Sequence, residues 1–405
     1  MTGGKYAQLL RTDGVPAVLA AGALARLPVS MYGLSLLLLA QDATGSLGQA
    51  GLVAAAAAVG FAVTAPALGR LADRYGPARP LAGAAAVNGL AFAAVVLAAE
   101  FAPATQQLWL LAVTAVVLGA SVPPIAACQR ALWRGKLSER LLETALALDS
   151  LQLDVFLIGG PLLVTGLTLA TGPVTAVIVT GALLVTGTCV FAALPACRAA
   201  RPGASGRGLG PLRAKGFRLL LGTIAAAGLA LGLVRVGLIG FAGESGGLLY
   251  TAIGVGSAVS GLAYGARDWK TPVERRYAIL LSCYGAGVLL LLTGSSVPVM
   301  FALAVVTGLA LTPVTVGEFA LIGRCAPAGT IAEAFAWATT ATFAGNAAGT
   351  GLGGWLTDQA GWRATAGLGA LVLVTASIAV FSRPALLGPQ NALAEGRSGT
   401  GSEGR

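Results

Sequence analysis

Apolar residues in this chain run on without alternation, in stretches of roughly 18 to 26 positions separated by short knots of charge, glycine and proline. Wound as helix, a stretch of that length crosses about 30 Å of hydrocarbon. Twelve can be marked out, at 15–40, 47–69, 79–100, 106–128, 142–169, 173–195, 217–241, 245–266, 276–294, 297–322, 331–355 and 363–382. Lipid leaves a spanning backbone two solutions, the helix and the closed barrel. Barrel strands would alternate apolar and polar residues over about ten positions, whereas these segments are continuously apolar and rich in Ala, Gly and Leu. The pattern predicts an all-α membrane protein with twelve transmembrane helices.

Composition sharpens that picture. Hydrophobic residues make up 56% of the 405 and charged residues only 10%, against roughly a quarter charged in soluble domains; mean hydropathy is +0.82. A net charge of +10 would suggest nucleic acid in a soluble protein, so the placement of the bases decides its meaning. Of the 26 Lys and Arg, 23 fall on one side when the loops are taken alternately; Arg363 falls on the other, and Arg26 and Arg235 lie inside spans. By the positive-inside rule both termini face the cytoplasm, in a multi-pass protein of the plasma membrane. Lys5 and Arg11 precede the first span without a small-residue cleavage site, so that span is expected to stay as a helix.

Cys128, Cys189, Cys197, Cys283 and Cys325 are scattered without a CxxC spacing, which indicates neither a zinc site nor a disulfide framework. The chain has no histidine, which removes His-ligated metals, His-based triads and His general bases. No GxxxxGK[ST] sequence is present, which argues against a built-in ATPase. The expectation is a protein without cofactor, metal or catalytic activity, with no nucleic-acid partner, working as a monomer in the bilayer.

The longest internal loop, "CRAARPGASGRGLGPLRAKG" over 197–216, is basic and rich in Gly and Pro. It reads as a cytoplasmic linker between a six-helix half over 1–196 and a second over 217–383. An internal repeat supports the division: a shift of 190 residues matches Arg134 with Arg324, Glu143 with Glu333, Pro123 with Pro313 and Gly159 with Gly349. Glu143 and Glu333 would stabilise helix N-termini. The tail over 384–405 has little apolar content to bury and is expected to be disordered.

Between the second and third spans stands "GRLADRYGPARP", with Gly69, Leu71, Asp73, Arg74, Gly76 and Arg79 in the order apolar, acid, base, glycine and base after an opening glycine. With twelve spans in two sixes and a basic central loop, this resembles the major facilitator superfamily of secondary transporters, over about residues 10 to 385. The resemblance implies that Asp73, with Gly69, Arg74, Gly76 and Arg79, forms a conformational latch on the cytoplasmic side. The alternative for Arg70, Arg74 and Arg79 is plain positive-inside anchoring. The corresponding second loop, "GLAYGARDWKTPVERR" over 261–276, has Gly265 where the acid would stand, so the latch is expected to be one-sided. Gly160 and Pro161 in the fifth span resemble part of the Gly-Pro pattern of proton-driven exporters, where they would let a helix bend at a close contact. Thr114, Ala115 and Val116 stand where such exporters carry an arginine.

Charges inside spans are costly and are the candidates for function. Arg26 and Asp154 each lie roughly 17 to 18 Å from the cytoplasmic edge, and could form either a cavity-facing pair or a permanent structural one. Asp149 has Gln152 on nearly the same helical face. Glu318 follows a bend at Pro313, with snorkelling to the interface as its alternative. Arg235 sits toward the outer end of the seventh span, within reach of a carboxylate such as Glu244. Trp109, Trp355 and Trp362 read as an outer aromatic belt, Trp133 and Trp269 as an inner one; Trp337, Phe335 and Phe343 line either a cavity or the core. Together these features point to a secondary transporter that exports a small amphipathic or drug-like molecule in exchange for protons. The alternative is proton-coupled uptake of a small polar or anionic solute.

Overall fold

The structure is a computed structural model and describes residues 3–200, 210–242, 246–327 and 329–387. Among the described residues there are helices and no strands. They run α1 (Gly3–Arg11), α2 (Val15–Thr44), α3 (Leu47–Tyr75), α4 (Ala78–Phe101), α5 (Ala104–Ala120), α6 (Ile125–Lys136), α7 (Glu139–Thr171), α8 (Pro173–Ala193) and α9 (Pro195–Ala199). The series continues with α10 (Lys215–Ala242), α11 (Gly246–Ala266), α12 (Val273–Leu291), α13 (Val297–Gly308), α14 (Leu311–Cys325) and α15 (Ile331–Phe381).

Every expected span falls on a helix or a pair of helices, but among the described residues ten helical stretches, not twelve, are long and apolar enough to cross a membrane. Two details account for the difference. The first turn of α12 carries Glu274, Arg275 and Arg276, and α12 is not among the ten. The 51 residues of α15 hold two expected spans, broken at Gly361, whose φ of 80° is one that residues with a Cβ rarely adopt. The fourth and tenth spans are themselves broken, between Ala120 and Ile125 and between Gly308 and Leu311, near the prolines Pro123 and Pro313.

The chain forms two compact units. One comprises residues 7–136 and 152–205; the other comprises 1–6, 137–151 and 206–405. The first is built on α2 against α8, α3 against α5 and α4 against α8; the second on α10 and α12 against α15 and α11 against α13. Close contacts recur at matching places. A Cβ on Gly60 would lie 2.3 Å from the Val116 carbonyl oxygen and one on Gly119 1.9 Å from that of Ala57; Gly256 and Gly308 stand in the same relation to Val305 and Ile253, at 2.0 Å each. Backbones meet directly at these points, the small-residue packing that helices use where lipid removes the hydrophobic drive between them. Outward faces are apolar, with Leu169 84% and Phe101 78% exposed.

Two stretches read from sequence as tails have structure. Residues 3–11 form α1, and Pro384–Leu387 form a 3-10 turn with Leu387 fully buried, so disorder from residue 384 does not hold for those four positions. Residues 388–405, and 201–209 of the linker, lie outside the described residues.

Candidate functional site

A dense set of charges belongs to the unit containing the C-terminal helices. It is drawn from α1, the first turns of α7 and the segment 262–276. Asp268 receives Lys5 Nζ at 2.7 Å on Oδ1 and a two-pronged contact from Arg140, Nε to Oδ1 at 3.0 Å and Nη2 to Oδ2 at 2.9 Å. This fork matches guanidinium to carboxylate geometry. The hydrogen bond from Lys5, with that from Arg140 and the two positive charges, holds the Asp268 carboxyl below its ordinary value. Arg276 Nη2 donates to Glu143 Oε1 at 2.5 Å, and its guanidinium lies over the rings of Tyr264 and Trp269 at 5.3 and 5.4 Å. Arg324 reaches Glu139 at 3.6 Å and Glu274 at 3.7 Å.

Neutral groups tie the same segments. Thr144 Oγ1 donates to the Gly265 carbonyl at 2.8 Å and the Tyr6 hydroxyl to that of Leu262 at 3.0 Å. The missing acid of the repeat has a steric reason: a Cβ at Gly265 would stand 2.6 Å from both the Ala147 Cβ and the Tyr6 hydroxyl. Asp268, three residues on, supplies a carboxylate instead, so the loop over 261–276 carries ion pairs of its own. Glu143, expected to stabilise a helix end, instead neutralises the buried Arg276.

Deeper in the same unit lies a polar line. The Tyr277 hydroxyl, with one proton to share between them, lies 3.1 Å from Thr223 Oγ1 and 3.3 Å from Glu318 Oε1. Tyr277 is fully buried and Glu318 is 7% exposed, so Glu318 does not snorkel. The Tyr284 hydroxyl is buried and has no hydrogen-bond partner. Arg235, exposed, lies over the Tyr250 ring at 5.3 Å; Glu244, its suggested partner, falls outside the described residues. Asp149 belongs to this unit too and is wholly buried.

Other sequence candidates lie in the unit built on α2 to α6. Arg26 is 5% exposed, with its guanidinium 6.0 Å from the Phe156 ring centre; Asp154, two residues from Phe156 on α7, is half-buried. Gln152 is half-buried, and its Oε1 has no hydrogen-bond partner. Gly160 lets α7 meet α2, since a Cβ there would fall 2.1 Å from Ser30 Oγ and 3.0 Å from the Ser30 backbone; Gly159 faces open space. Gly160 therefore plays the part that Gly349 plays against Leu229, one residue from the alignment of the repeat. Pro161 lies inside α7 without ending it.

Most of "GRLADRYGPARP" is helix. Buried Gly69, half-buried Asp73 and exposed Arg74 occupy the end of α3, and exposed Arg79 begins α4. Gly76 makes the turn at φ 78°. Arg74 lies over Tyr75 at 5.2 Å, and the charge of Asp73 acts on Cys128. Trp109 and Trp355 are largely exposed, as belt residues would be, but Trp133 is core at 2% exposure. Phe335 is buried against Phe319, Phe343 is exposed and Trp337 half-buried.

The family model for the Major Facilitator Superfamily matches residues 18–243. A comparison with curated proteins gives no match. Among solved structures, the chain is similar to a bacterial homologue of the iron transporter ferroportin in an outward-facing state, with 13% identity over 91% of this chain and 99% of that one and a TM-score of 0.75. It is similar to the fucose:proton symporter FucP of E. coli at 14% identity, 92% and 99% coverage and a TM-score of 0.70. The human organic anion transporter MFSD10 gives 17% identity, 90% and 98% coverage and a TM-score of 0.67. At these identities the likeness is one of fold.

Proposed function

Because the chain belongs to the major facilitator superfamily, a family of transporters, we propose that it carries a small amphipathic or drug-like molecule out of the cytoplasm in exchange for protons, by alternating access, with both termini in the cytoplasm and the linker over 197–216 joining two moving halves. The observation that carries the proton is Glu318, an acid buried in an apolar span and held by the Tyr277 hydroxyl. A carboxyl in this setting takes up or gives up its proton as water and hydrogen bonds change around it. Thr223, Tyr277 and Glu318 then form a hydrogen-bonded line inside this half, and Asp149 is a second buried acid on the cytoplasmic side. Lys5, Arg140 and Asp268, with Glu143 and Arg276, clasp the cytoplasmic end in one state and part in the other. Asp73 with Gly69, Arg74, Gly76 and Arg79 is the corresponding latch on α3 and α4.

The test is reconstitution in vesicles with an imposed pH gradient, using cargo found by a substrate screen in an efflux-deficient host. Glu318→Gln and Asp149→Asn are each expected to remove the pH dependence of flux while the protein still reaches the membrane. Unchanged pH-dependent flux in both would overturn proton coupling through these acids. The second reading, uptake of an anionic solute, draws on Arg26, a buried cation over Phe156; the direction of flux under the same gradient separates the two.

A further inference from the structure

Two apolar grooves lie on either side of the first turns of α10, and both are lined by Arg218 and Gly222. One, of about 510 Å3, runs between α10 and the second arm of α15, past Thr223, Leu371 and Ala379; the other, of about 350 Å3, runs between α10 and the first arm of α15, past Trp337 and Thr340. We propose that this pair of grooves binds one anionic diacyl glycerophospholipid, its phosphate on Arg218 and one acyl chain on each side of α10.

Three independent features favour that occupant. The first is shape. Arg218 and Gly222 are one helical turn apart, on the ridge between the grooves. A Cβ on Gly222 would meet nothing within 4 Å, so below the guanidinium no side chain stands between the two channels. A headgroup with two chains beneath it fits such a saddle; a single-chain or compact solute does not use both sides.

The second feature is charge. Arg213, Lys215, Arg218 and Arg383 are exposed and, among the described residues, none is in an ion pair. They converge: Ala379 and Arg218 line one groove, and the turn after Arg383 packs on the start of α10, with the Leu386 carbonyl 1.9 Å from where a Gly216 Cβ would stand. The contrast with Lys5, Arg140, Arg276 and Arg324, each matched by a carboxylate, sets this end apart. Uncompensated bases between helices at the cytoplasmic level attract anionic lipid headgroups, and a guanidinium fits a phosphate through two parallel hydrogen bonds.

The third feature is unmet donors. Trp337 Nε1 and Thr340 Oγ1, on residues lining the smaller groove, are shielded from water and have no hydrogen-bond partner. The ester carbonyls of a glycerophospholipid are acceptors of the kind these groups lack. The larger groove ends on Thr223, which accepts from Tyr277 beside Glu318, so an acyl chain there would bear on the residue that steadies the buried acid.

The full chain, purified in detergent, is titrated with phosphatidylglycerol, phosphatidylcholine, lyso-phosphatidylglycerol and inorganic phosphate, with binding read by native mass spectrometry and by the melting midpoint. Phosphatidylglycerol is expected to bind and raise the midpoint; the zwitterionic lipid, the single-chain lipid and phosphate are expected to do so at least about tenfold less effectively. Arg218→Gln should weaken phosphatidylglycerol binding by about tenfold or more, while Arg363→Gln, an equal loss of charge elsewhere, should leave it unchanged. Gly222→Leu places its side chain in open space, so its midpoint without lipid should match the parent while its response to phosphatidylglycerol is lost. Equal responses to the anionic and zwitterionic lipids, a response to phosphate matching that to lipid, or parental binding by both Arg218→Gln and Gly222→Leu would overturn the proposal.

Discussion

At Gly265 a hydrogen atom stands where any other residue would put a carbon 2.6 Å from both Ala147 Cβ and the Tyr6 hydroxyl. Overpacking of this kind costs about 1–3 kcal/mol. Gly265→Ala is therefore expected to push α1 and the start of α7 off α11. Its melting midpoint should fall, and an unchanged midpoint would show that the contact is not tight. Asp268 supplies a second prediction. Its carboxyl sits below the ordinary 3.8, chiefly through the hydrogen bond from Lys5. A depressed carboxyl contributes to the clasp above its ordinary value and loses that contribution as pH falls through its lower folded value. With native cysteines replaced, cross-linking of Tyr6→Cys with Leu262→Cys should thus be flat between about pH 5 and 8 and fall only in stronger acid. A fall near neutrality would mean that another group holds the clasp.

Two spans are broken, and lipid does not supply partners for the backbone groups a break releases. At the end of α5 the neighbours do so. Thr64 Oγ1 donates to the Ala120 carbonyl at 2.7 Å, and Asn88 Nδ2 donates to the Leu118 carbonyl at 2.9 Å and to Ser121 Oγ at 3.0 Å. Asn88→Leu keeps the bulk and removes both donated bonds, at a cost of about 1–3 kcal/mol. A lowered melting midpoint is expected, and an unchanged one would mean that the break is held by other means. Only the bend at Pro313 is legible along the chain; the expected fourth span runs unbroken through Pro123, its partner in the repeat. The partners that satisfy the break after α5 were not visible, because Thr64 and Asn88 lie 56 and 30 residues away from the groups they satisfy. The same limit hid α1, nine residues without an apolar run, and the clasp. Lys5, Arg140 and Arg276 look in sequence like positive-inside anchors, and only packing assigns each a carboxylate. Spans, helical class and the superfamily loop were legible because they rest on run length, continuity of apolar character and local motif, all properties of contiguous residues.

For the molecule as a whole, the clasp and the buried acid are two different controls, and they should separate in one experiment. Asp268 stays ionised across the physiological range, so Asp268→Asn weakens one state at every pH alike. Its transport rate should differ from the parent by a constant factor, at most about fivefold for such exposed pairs, with the pH optimum unmoved. Glu318 exchanges a proton with its surroundings in the proposed cycle, so Glu318→Gln should flatten the pH profile whatever the state of the clasp. Asp268 takes its contacts from Lys5 and Arg140 and Glu318 one from Tyr277; if their effects are independent they add, and the double variant should show the flat profile of one displaced by the constant factor of the other. Initial rates of cargo flux from pH 5.5 to 8.5 in vesicles read both quantities at once. A shifted optimum in Asp268→Asn would tie proton uptake to the clasp, and a parental profile in Glu318→Gln would move the coupling site to Asp149 or Asp154.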